Sequence, residues 1–304
     1  MDTIRTTQDV LVSIIIATYH RDNELHEALI SLTKQTYKYI DVIVVDDNAD
    51  TEWNATVASH IERIRRENDL SILYIKNECN LGSAATRNRG IKAAKGKYIT
   101  FLDDDDVYLP RKIEMQLKDI IAVNADYGLT DLYLYNEKEE VIDKRIRSYI
   151  KNTSTKELMR YHLLYHMTGT DTLMFKTEYL RKIGGFPGSD IGDEFYLMKE
   201  AVLGGGKFVY SPHCYVKAYV HTGETAGLSS GQRKIDGENN LYEEKKRYFN
   251  FLSKKDIRYV EMRHYAVIAF AELRTKRYGA FVLDAVKAFS SSPIACVYMF
   301  LEHR

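Results

Sequence analysis

The run GKYITFLDDDD at residues 96–106 decides the fold, because it joins a short apolar segment to four consecutive carboxylates. Its β-branched and aromatic residues at 98–102 are typical of a strand that is buried on both faces of a sheet. The run VIVVDD at 42–47 repeats this arrangement and ends in Asp46 and Asp47. In an open α/β sheet, ligands bind outside the carboxyl ends of the strands. Both acidic clusters are therefore predicted to lie at one ligand-binding edge.

Strand and helix patterns alternate on either side of these two runs. The alternation predicts βαβ units with right-handed crossovers and a mostly parallel sheet. In the first half, strands are expected at 10–17, 39–45, 70–75 and 98–102, and helices at 56–68, 84–94 and 111–121. In the less regular second half, strands are expected at 127–135, 208–210 and 215–220, helices at 156–166 and 194–202, and mainly helix from 233 onwards.

The composition argues against several classes of protein. The 304 residues contain 43 Lys and Arg against 43 Asp and Glu, and this zero net charge disfavours nucleic acid as the main partner. The first strand is not followed by the glycine-rich loop that dehydrogenases and sugar nucleotidyltransferases need. Three scattered cysteines, a polar N-terminus and the lack of a long apolar stretch lead us to expect a cytoplasmic protein.

The four carboxylates Asp103 to Asp106 indicate a metal site. Like charges this close repel and raise each other's pKa, and a bound cation relieves that repulsion. In an extended segment, Asp103 and Asp105 would face one way and the other two the opposite way. Carboxylate oxygens suit Mg²⁺ or Mn²⁺, with a substrate diphosphate completing the coordination shell. The alternative is an acidic turn or helix cap before Pro110.

The order and spacing of several short motifs resemble family 2 glycosyltransferases with the GT-A fold. The resemblance covers residues 11 to about 225 and is closest to bacterial enzymes of spore-coat and surface-polysaccharide synthesis. The motifs are VSIIIATY at 12–19, QTY at 35–37, VVDDN at 44–48, NLG at 80–82, Ala85 with Arg87 and Asn88, GKYI at 96–99, GGF at 184–186 and GDE at 192–194.

This resemblance implies a GT-A type α/β fold, with a mostly parallel nucleotide-binding sheet flanked by helices and a helical C-terminal appendage. The expected catalytic domain is 1–230, in which 1–125 binds the nucleotide sugar and 126–230 forms the acceptor half. The appendage is expected at 231–304. Its apolar segment 294–301 is too short to span a bilayer. It leaves three alternatives open: packing on the body, a homodimer contact, or peripheral contact with the inner face of the membrane.

Donor-site roles also follow from the resemblance. Asp47 resembles the carboxylate that accepts a hydrogen bond from uracil, which favours a UDP-sugar. Asp105 resembles the carboxylate that binds a divalent metal directly, although the acidic run leaves the register open by one residue. The register 103–105 is preferred because Tyr108 and Pro110 then match the family. The residues implied in donor binding are Ala17, Thr18, Tyr19, Asp46, Asp47, Arg87, Asp103 and Asp104.

Catalytic roles are implied for a second acidic pair, Asp193 and Glu194. A carboxylate here would act as the general base that takes the proton from the acceptor hydroxyl in a single, inverting displacement. Asp193 is the first choice and Glu194 the second, and a helix-capping role for Asp193 is compatible with both. His221 resembles a metal or diphosphate ligand, with a structural histidine as the alternative. The segment 222–233 is expected to close over the donor or to be a plain surface connection.

The function implied is an inverting, hexosyl-class glycosyltransferase that transfers a sugar from a nucleotide sugar to a hydroxyl acceptor. A growing polysaccharide, a lipid-linked intermediate, and a protein or spore-coat glycan remain open as acceptors. The rival hypothesis is a degenerate GT-A protein that serves as a sugar-binding or scaffold module. The acidic residues that catalysis needs are present, and this favours the enzyme.

Overall fold

The computed structural model of the chain describes residues 10–188, 192–220 and 231–302. These residues form two compact units. The first contains the described residues up to Thr153 together with Met167–Val220. The second contains Ser154–His166 and the described residues from 231 onwards. His221 and most of the expected loop, at 222–230, lie outside the described residues.

Two sheets form the first unit. Its strands are β1 (Val12–Thr18), β2 (Ile40–Asp46), β3 (Ile72–Lys76), β4 (Tyr98–Phe101), β5 (Val107–Tyr108), β6 (Tyr127–Thr130), β7 (Leu132–Tyr135), β8 (Val141–Arg145), β9 (Leu173–Lys176), β10 (Phe208–Ser211) and β11 (Val216–Tyr219). The larger, seven-stranded sheet has the order β10-β6-β9-β4-β1-β2-β3, and the smaller has the order β5-β11-β7-β8. In the larger sheet β9 runs antiparallel to β4 and β6, whereas the other pairs are parallel. The predicted α/β class with a mostly parallel sheet is confirmed.

The single strand expected at 127–135 is wrong, because the chain leaves one sheet for the other at Asp131. Strand β6 belongs to the larger sheet and β7 to the smaller one. The buried carboxylate of Asp131 accepts hydrogen bonds from the amide of Arg147 and the hydroxyl of Tyr210, both at 2.8 Å. These bonds hold the chain at the point where β6 ends and β7 begins.

The helices of the first unit are α1 (Asn23–Thr33), α2 (Thr51–Glu67), α3 (Ser83–Ala93), α4 (Lys112–Ala122), α6 (Thr177–Lys182) and α7 (Asp193–Leu203). Helix α2 begins five residues earlier than the expected 56–68. The reason is an N-cap: the Asp50 carboxylate accepts hydrogen bonds from the amides of Glu52 and Trp53, both at 3.0 Å.

Helix α3 packs unusually close to β1, and this packing fixes the position of Arg87. The helix starts after Gly82, whose φ of +80° suits a residue without a side chain. At Gly90, an added Cβ would lie 2.5 Å from Cγ2 of Ile15. Because the helix is held against β1, its first turns, including Arg87, lie near the carboxyl edge of the sheet. Ile14, Ile15 and Ile16 of β1 are fully buried, as expected for a strand covered on both faces.

The second unit is helical and contains α5 (Thr155–Tyr165), α8 (Gly231–Lys246), α9 (Lys254–Arg274), α10 (Tyr278–Ser291) and α11 (Pro293–Glu302). A capping box between Ser253 and Asp256 starts α9. Two hydrogen bonds from Arg160 of α5, at 2.8 and 2.9 Å, reach the Asp256 carboxylate and lower its pKa to about 2. Helix α5 thus belongs to this unit, although the sequence placed it in the acceptor half. The domain boundaries given above remain a prediction.

Among the described residues, none of the helices is both long and apolar enough to cross a membrane.

Candidate active site

The acidic run after β4 forms a tight turn. The amide of Asp106 donates to the carbonyl oxygen of Asp103 at 3.2 Å. The expected extended alternation of the four side chains is therefore wrong. Instead, Asp104 and Asp105 contact Arg21. The carboxylates of Asp103 and Asp106 lie close to that of Asp171.

Arg21 lies against the outer half of this turn. Its Nη2 is 2.5 Å from Oδ2 of Asp105, and its Nε is 3.5 Å from Oδ1 of Asp104. The amide of Tyr19 also donates to Asp104 at 3.1 Å, which ties the end of β1 to the turn. Burial and repulsion from Asp105 raise the pKa of Asp104 to about 7. Arg21 thus pairs with both outer carboxylates of the turn.

The inner half of the turn contains a triad of carboxylates: Asp103, Asp106 and Asp171. One oxygen from each lies within 4.8 Å of the other two. Asp171 accepts a hydrogen bond from the amide of Asp103 at 2.6 Å. Burial and the charge of Asp103 raise the pKa of Asp171 to about 8. Burial and then Asp171 raise the pKa of Asp106 well above its ordinary value.

The donor set of this triad fits a hard divalent cation, since three carboxylates offer closely spaced oxygens that Mg²⁺ or Mn²⁺ prefers. Burial and then the neighbouring carboxylates raise the pKa values of Asp106 and Asp171, and a bound cation would favour their charged forms. Asp105, the metal ligand expected from the sequence, lies in the same turn but faces Arg21.

Asp171 was not among the site residues expected from the sequence. It lies just before β9, which runs antiparallel to β4, so the start of β9 meets the carboxyl end of β4. An acidic residue that precedes an antiparallel strand therefore lies at the same edge of the sheet as an acidic residue that follows a parallel strand. The available signal was Asp171 followed by the apolar residues 173–175.

The carboxylates predict how stability depends on pH. Asp104 and Asp171 have folded-state pKa values of about 7 and about 8, above their ordinary value. Their protonated forms therefore favour folding, and this contribution is lost as the pH rises through those values. We expect the Tm of the metal-free protein to fall between about pH 6 and about pH 8.5.

Added Mn²⁺ is expected to raise Tm, and more strongly at the upper pH, because it binds the charged carboxylates. At a hundredfold excess over its Kd, the gain is about 2.7 kcal/mol, or roughly 5–10 °C. Differential scanning calorimetry with and without Mn²⁺ at both pH values measures this. Identical Tm values in all four conditions would contradict the metal site.

Arg87 connects the acidic turn to helix α7. Its Nη2 is 2.7 Å from Asp103, its Nη1 is 2.8 Å from Asp193, and its guanidinium carbon lies 5.4 Å from the centre of the Phe186 ring. Burial alone would lower the pKa of Arg87, but the two carboxylates outweigh it and raise the pKa. One guanidinium thus holds together two acidic groups that are 90 residues apart in the chain.

The pair at the start of α7 has two different environments. The Asp193 carboxylate accepts hydrogen bonds from the Ser83 hydroxyl, Arg87 and the amide of Glu194, all at 2.8 Å. Within the described part of the chain, Glu194 accepts one hydrogen bond, from the Thr170 hydroxyl at 2.9 Å. Burial and then the Asp193 charge raise the pKa of Glu194. Asp193 is held in place by donors, whereas Glu194 keeps capacity to accept a proton.

Asp47 lies at the end of β2 and is almost saturated with protein donors. Its carboxylate accepts hydrogen bonds from Asn77 at 2.6 Å and from the amides of Leu81 and Gly82 at 2.8 and 2.9 Å. A carboxylate has about four acceptor positions, so about one remains. The uracil contact expected of Asp47 stays a prediction.

Asp46 is fully buried and accepts hydrogen bonds from Tyr74 and Asn48. The Asn48 side chain accepts from the amide of His20 at 2.8 Å. Asp46 thereby supports the turn that follows β1, and the donor-binding role expected of it stays a prediction.

The end of β1 presents an exposed aromatic stack. Thr18 is buried and Ala17 partly buried, whereas Tyr19 is 48% exposed. The Tyr19 ring stacks on His20 with centroids 4.0 Å apart, and His20 stacks on Trp53 at 4.9 Å. Exposed aromatic faces of this kind stack readily on nucleobases. The sequence analysis did not foresee the contribution of Trp53, which comes from the first turn of α2.

The model of the family described as glycosyl transferase family 2 matches residues 13–184, more than half of the chain. The chain therefore belongs to the family 2 glycosyltransferases, as the resemblance implied. It spans between 18% and 58% of the length of five curated relatives that match it at 34–39% identity. One of them, WfaP from Escherichia coli, is a UDP-Glc:alpha-D-GlcNAc-diphosphoundecaprenol beta-1,3-glucosyltransferase, 36% identical over 43% of this chain and 49% of WfaP.

Two solved structures confirm the GT-A fold at low sequence identity. Staphylococcus aureus TarS 1–349 in complex with UDP-GlcNAc has a TM-score of 0.58 and 16% identity, covering 92% of this chain and 91% of that one. The mannosyltransferase PcManGT from Pyrobaculum calidifontis, in complex with GDP-Man and Mn²⁺, has a TM-score of 0.60 and 16% identity, covering 96% and 78%.

Proposed function

We propose that this glycosyltransferase moves a sugar from a UDP-sugar to a hydroxyl acceptor by a single, inverting displacement with a divalent metal at the donor site. The observation that carries the proposal is the bridge made by Arg87 between Asp103 and Asp193. It puts the acidic turn suited to a metal diphosphate beside the acids suited to deprotonating an acceptor. Donor and acceptor chemistry can then meet within one site.

The donor side is assigned to the ends of β1, β2 and β4. Tyr19 offers its exposed ring to the base, Asp47 offers its remaining acceptor position, and Arg87 offers charge to the diphosphate. Thr18, Ala17 and Asp46 shape this edge. The substrate named for WfaP supports UDP. The GDP-Man bound to PcManGT makes GDP the competing nucleotide to test.

The metal is proposed to be Mn²⁺ or Mg²⁺, and Mn²⁺ in the PcManGT structure supports this choice. Asp105 is the proposed direct ligand, with Asp103, Asp106 and Asp171 as the competing set. When bound, the cation offsets the negative charge that the diphosphate gains as the sugar departs. His221 remains a proposed ligand.

We place Glu194 ahead of Asp193 as the general base. The three hydrogen bonds to Asp193 use most of its acceptor positions. Among the described residues, fewer donors reach Glu194 than Asp193, and the pKa of Glu194 is raised, so Glu194 is the better proton acceptor. The acceptor hydroxyl gives its proton to the carboxylate as its oxygen attacks the anomeric carbon. The nucleoside diphosphate leaves from the opposite face, which inverts the configuration.

The acceptor is proposed to be a lipid-linked sugar or growing glycan in surface-polysaccharide, cell-wall or spore-coat synthesis. The acceptor named for WfaP, a sugar on diphosphoundecaprenol, supports the lipid-linked form.

Calorimetric titration with UDP and with GDP, each with and without Mn²⁺, tests the proposal. We expect UDP to bind at least tenfold more tightly with Mn²⁺ than without it, because a cation held by the carboxylates would offset the negative charge of the diphosphate (about 1.4 kcal/mol per tenfold). Preference for GDP would overturn the nucleotide assignment. A folded protein that binds neither nucleotide would point to the scaffold alternative.

A further inference from the structure

The two C-terminal helices carry a concentration of exposed apolar side chains. Large side chains here are between 49% and 75% exposed, far more than in an ordinary packed helix pair. Contiguous exposed apolar surface usually marks an interaction site. The residues are Tyr278, Val282, Leu283, Val286 and Phe289 on α10, and Ile294, Val297, Tyr298 and Leu301 on α11. We call this set the C-terminal apolar face.

On α11 the apolar face is a regular stripe. Ile294, Val297, Tyr298 and Leu301 follow the spacing i, i+3, i+4, i+7, which places them on one side of the helix. The opposite side already has partners: Cys296 is buried in a cluster with Met262, Ala266 and Ala288, and Ala295 and Met299 pack against it. The outer stripe is therefore additional to what folding of this unit uses.

Helix α10 repeats the arrangement. Tyr278, Val282, Val286 and Phe289 recur every three or four residues and are all at least half exposed. Ala288, on the other side, is fully buried in the same cluster. Two consecutive helices thus each bury one apolar side and expose another, and an exposed apolar side of a helix can lie in a membrane interface.

Charge distinguishes between the candidates for covering this face. The segment from Glu272 to Glu302 contains four basic and three acidic residues, and three of the four basic residues lie together at 274–277. Asp284 pairs with Lys287 at 2.7 Å, and Glu272 lies 3.9 Å from Arg277. The basic charge that these acids do not offset lies at Arg274 and Lys276, which are exposed at the end of α9 and in the turn directly before the apolar stripe of α10.

We propose that the C-terminal apolar face rests on a lipid surface with anionic head groups. Apolar side chains enter the acyl boundary, Tyr278 and Tyr298 lie at the head-group level, and the basic turn contacts lipid phosphates. A second copy of the chain fits less well, because a two-fold contact would add two basic turns to one interface. The inference stands on the helices alone, and it agrees with the lipid-linked acceptor proposed above.

Vesicle co-sedimentation of the full chain, without donor or metal, tests this proposal. The vesicles contain phosphatidylcholine alone or phosphatidylcholine with phosphatidylglycerol. The double variant Val286→Glu with Ile294→Glu puts charge into the face. The matched control, Val141→Glu with Ile142→Glu, makes the same change at two exposed residues of β8. Arg274→Gln with Lys276→Gln removes two charges from the basic turn.

We expect the wild-type protein to bind the vesicles that contain phosphatidylglycerol. The double variant on the C-terminal apolar face should lose this binding, and the control variant on β8 should keep it. Each basic residue near an anionic surface contributes roughly fivefold in affinity, so the turn variant is expected to bind roughly 30-fold more weakly. Raising the salt concentration should also weaken vesicle binding, because salt screens the attraction between the basic residues and the anionic lipid. UDP titration of each variant reports separately on the donor site.

Two results would overturn the proposal. One is the absence of vesicle binding, or binding that the face variant retains. The other is a dimer, seen by light scattering, that the face variant dissociates while vesicles are not bound. The face would then be an interface between copies of the chain.

Discussion

Replacing Glu194 by glutamine lowers kcat by roughly 10²–10⁴-fold, the usual contribution of a general base, while Mn²⁺-dependent UDP binding stays within about twofold of the wild type. Glutamine keeps the size of the side chain and can still accept the hydrogen bond from Thr170. It cannot take a proton from the acceptor hydroxyl. Initial-rate kinetics beside UDP titration separate the two effects.

The matched substitution Asp193→Asn should give the opposite pattern. Asp193 holds Arg87 and Ser83, so its loss is expected to weaken donor binding first. In the wild type, kcat/KM should rise with pH through the raised pKa of Glu194, because a base acts only when unprotonated. If Asp193→Asn loses turnover with UDP binding intact, and Glu194→Gln stays active, Asp193 is the base.

Replacing Asp105 by alanine is expected to abolish the Mn²⁺ enhancement of UDP binding, a loss of about 100-fold or about 2.7 kcal/mol in affinity. The fold should survive, because Asp105 lies in a turn and contacts Arg21 rather than the core. Calorimetric titration with and without Mn²⁺ measures the effect, and circular dichroism checks the fold. Asp143→Ala, at an exposed acid of β8, serves as the control.

Asp171→Ala distinguishes the two sets of ligands. If the cation is held by the triad, Asp171→Ala removes the Mn²⁺ enhancement and Asp105→Ala keeps it. Unchanged enhancement in both variants would place the cation elsewhere.

The sequence was sufficient for the parallel strands β1, β2 and β4, because each is a nearly continuous apolar run. Residues 10–17 and 39–45 leave no competing interpretation, since a strand buried on both faces needs no alternation. The short strand β9 escaped detection because four residues carry little periodic signal, and Asp171 was missed with it.

Side-chain partners were harder to foresee than strands. Lys112 belongs to a predicted helix, where a lysine suggests an exposed face. It is instead fully buried, and its ammonium group contacts Thr100 at 2.5 Å and Tyr108 at 2.8 Å. Burial lowers the pKa of Lys112 well below its ordinary value, and the charge of Asp171 opposes this. Such contacts depend on how α4 packs on β4, which helical periodicity does not specify.

Arg21 acts as a counter-ion within the protein to the carboxylates of Asp104 and Asp105. A cation that binds alone must compete with the Arg21 guanidinium for Asp105. When a nucleotide binds with the cation, its phosphate oxygens can accept hydrogen bonds from the displaced guanidinium. Each ligand then raises the affinity of the site for the other. By thermodynamic linkage, Mn²⁺ raises the affinity for UDP by the same factor as UDP raises the affinity for Mn²⁺. Titrating Mn²⁺ and UDP in both orders measures that factor. Arg21→Ala should tighten the binding of Mn²⁺ alone and reduce the factor by which UDP enhances it. The strength of coupling between metal and nucleotide binding would then depend on this one arginine.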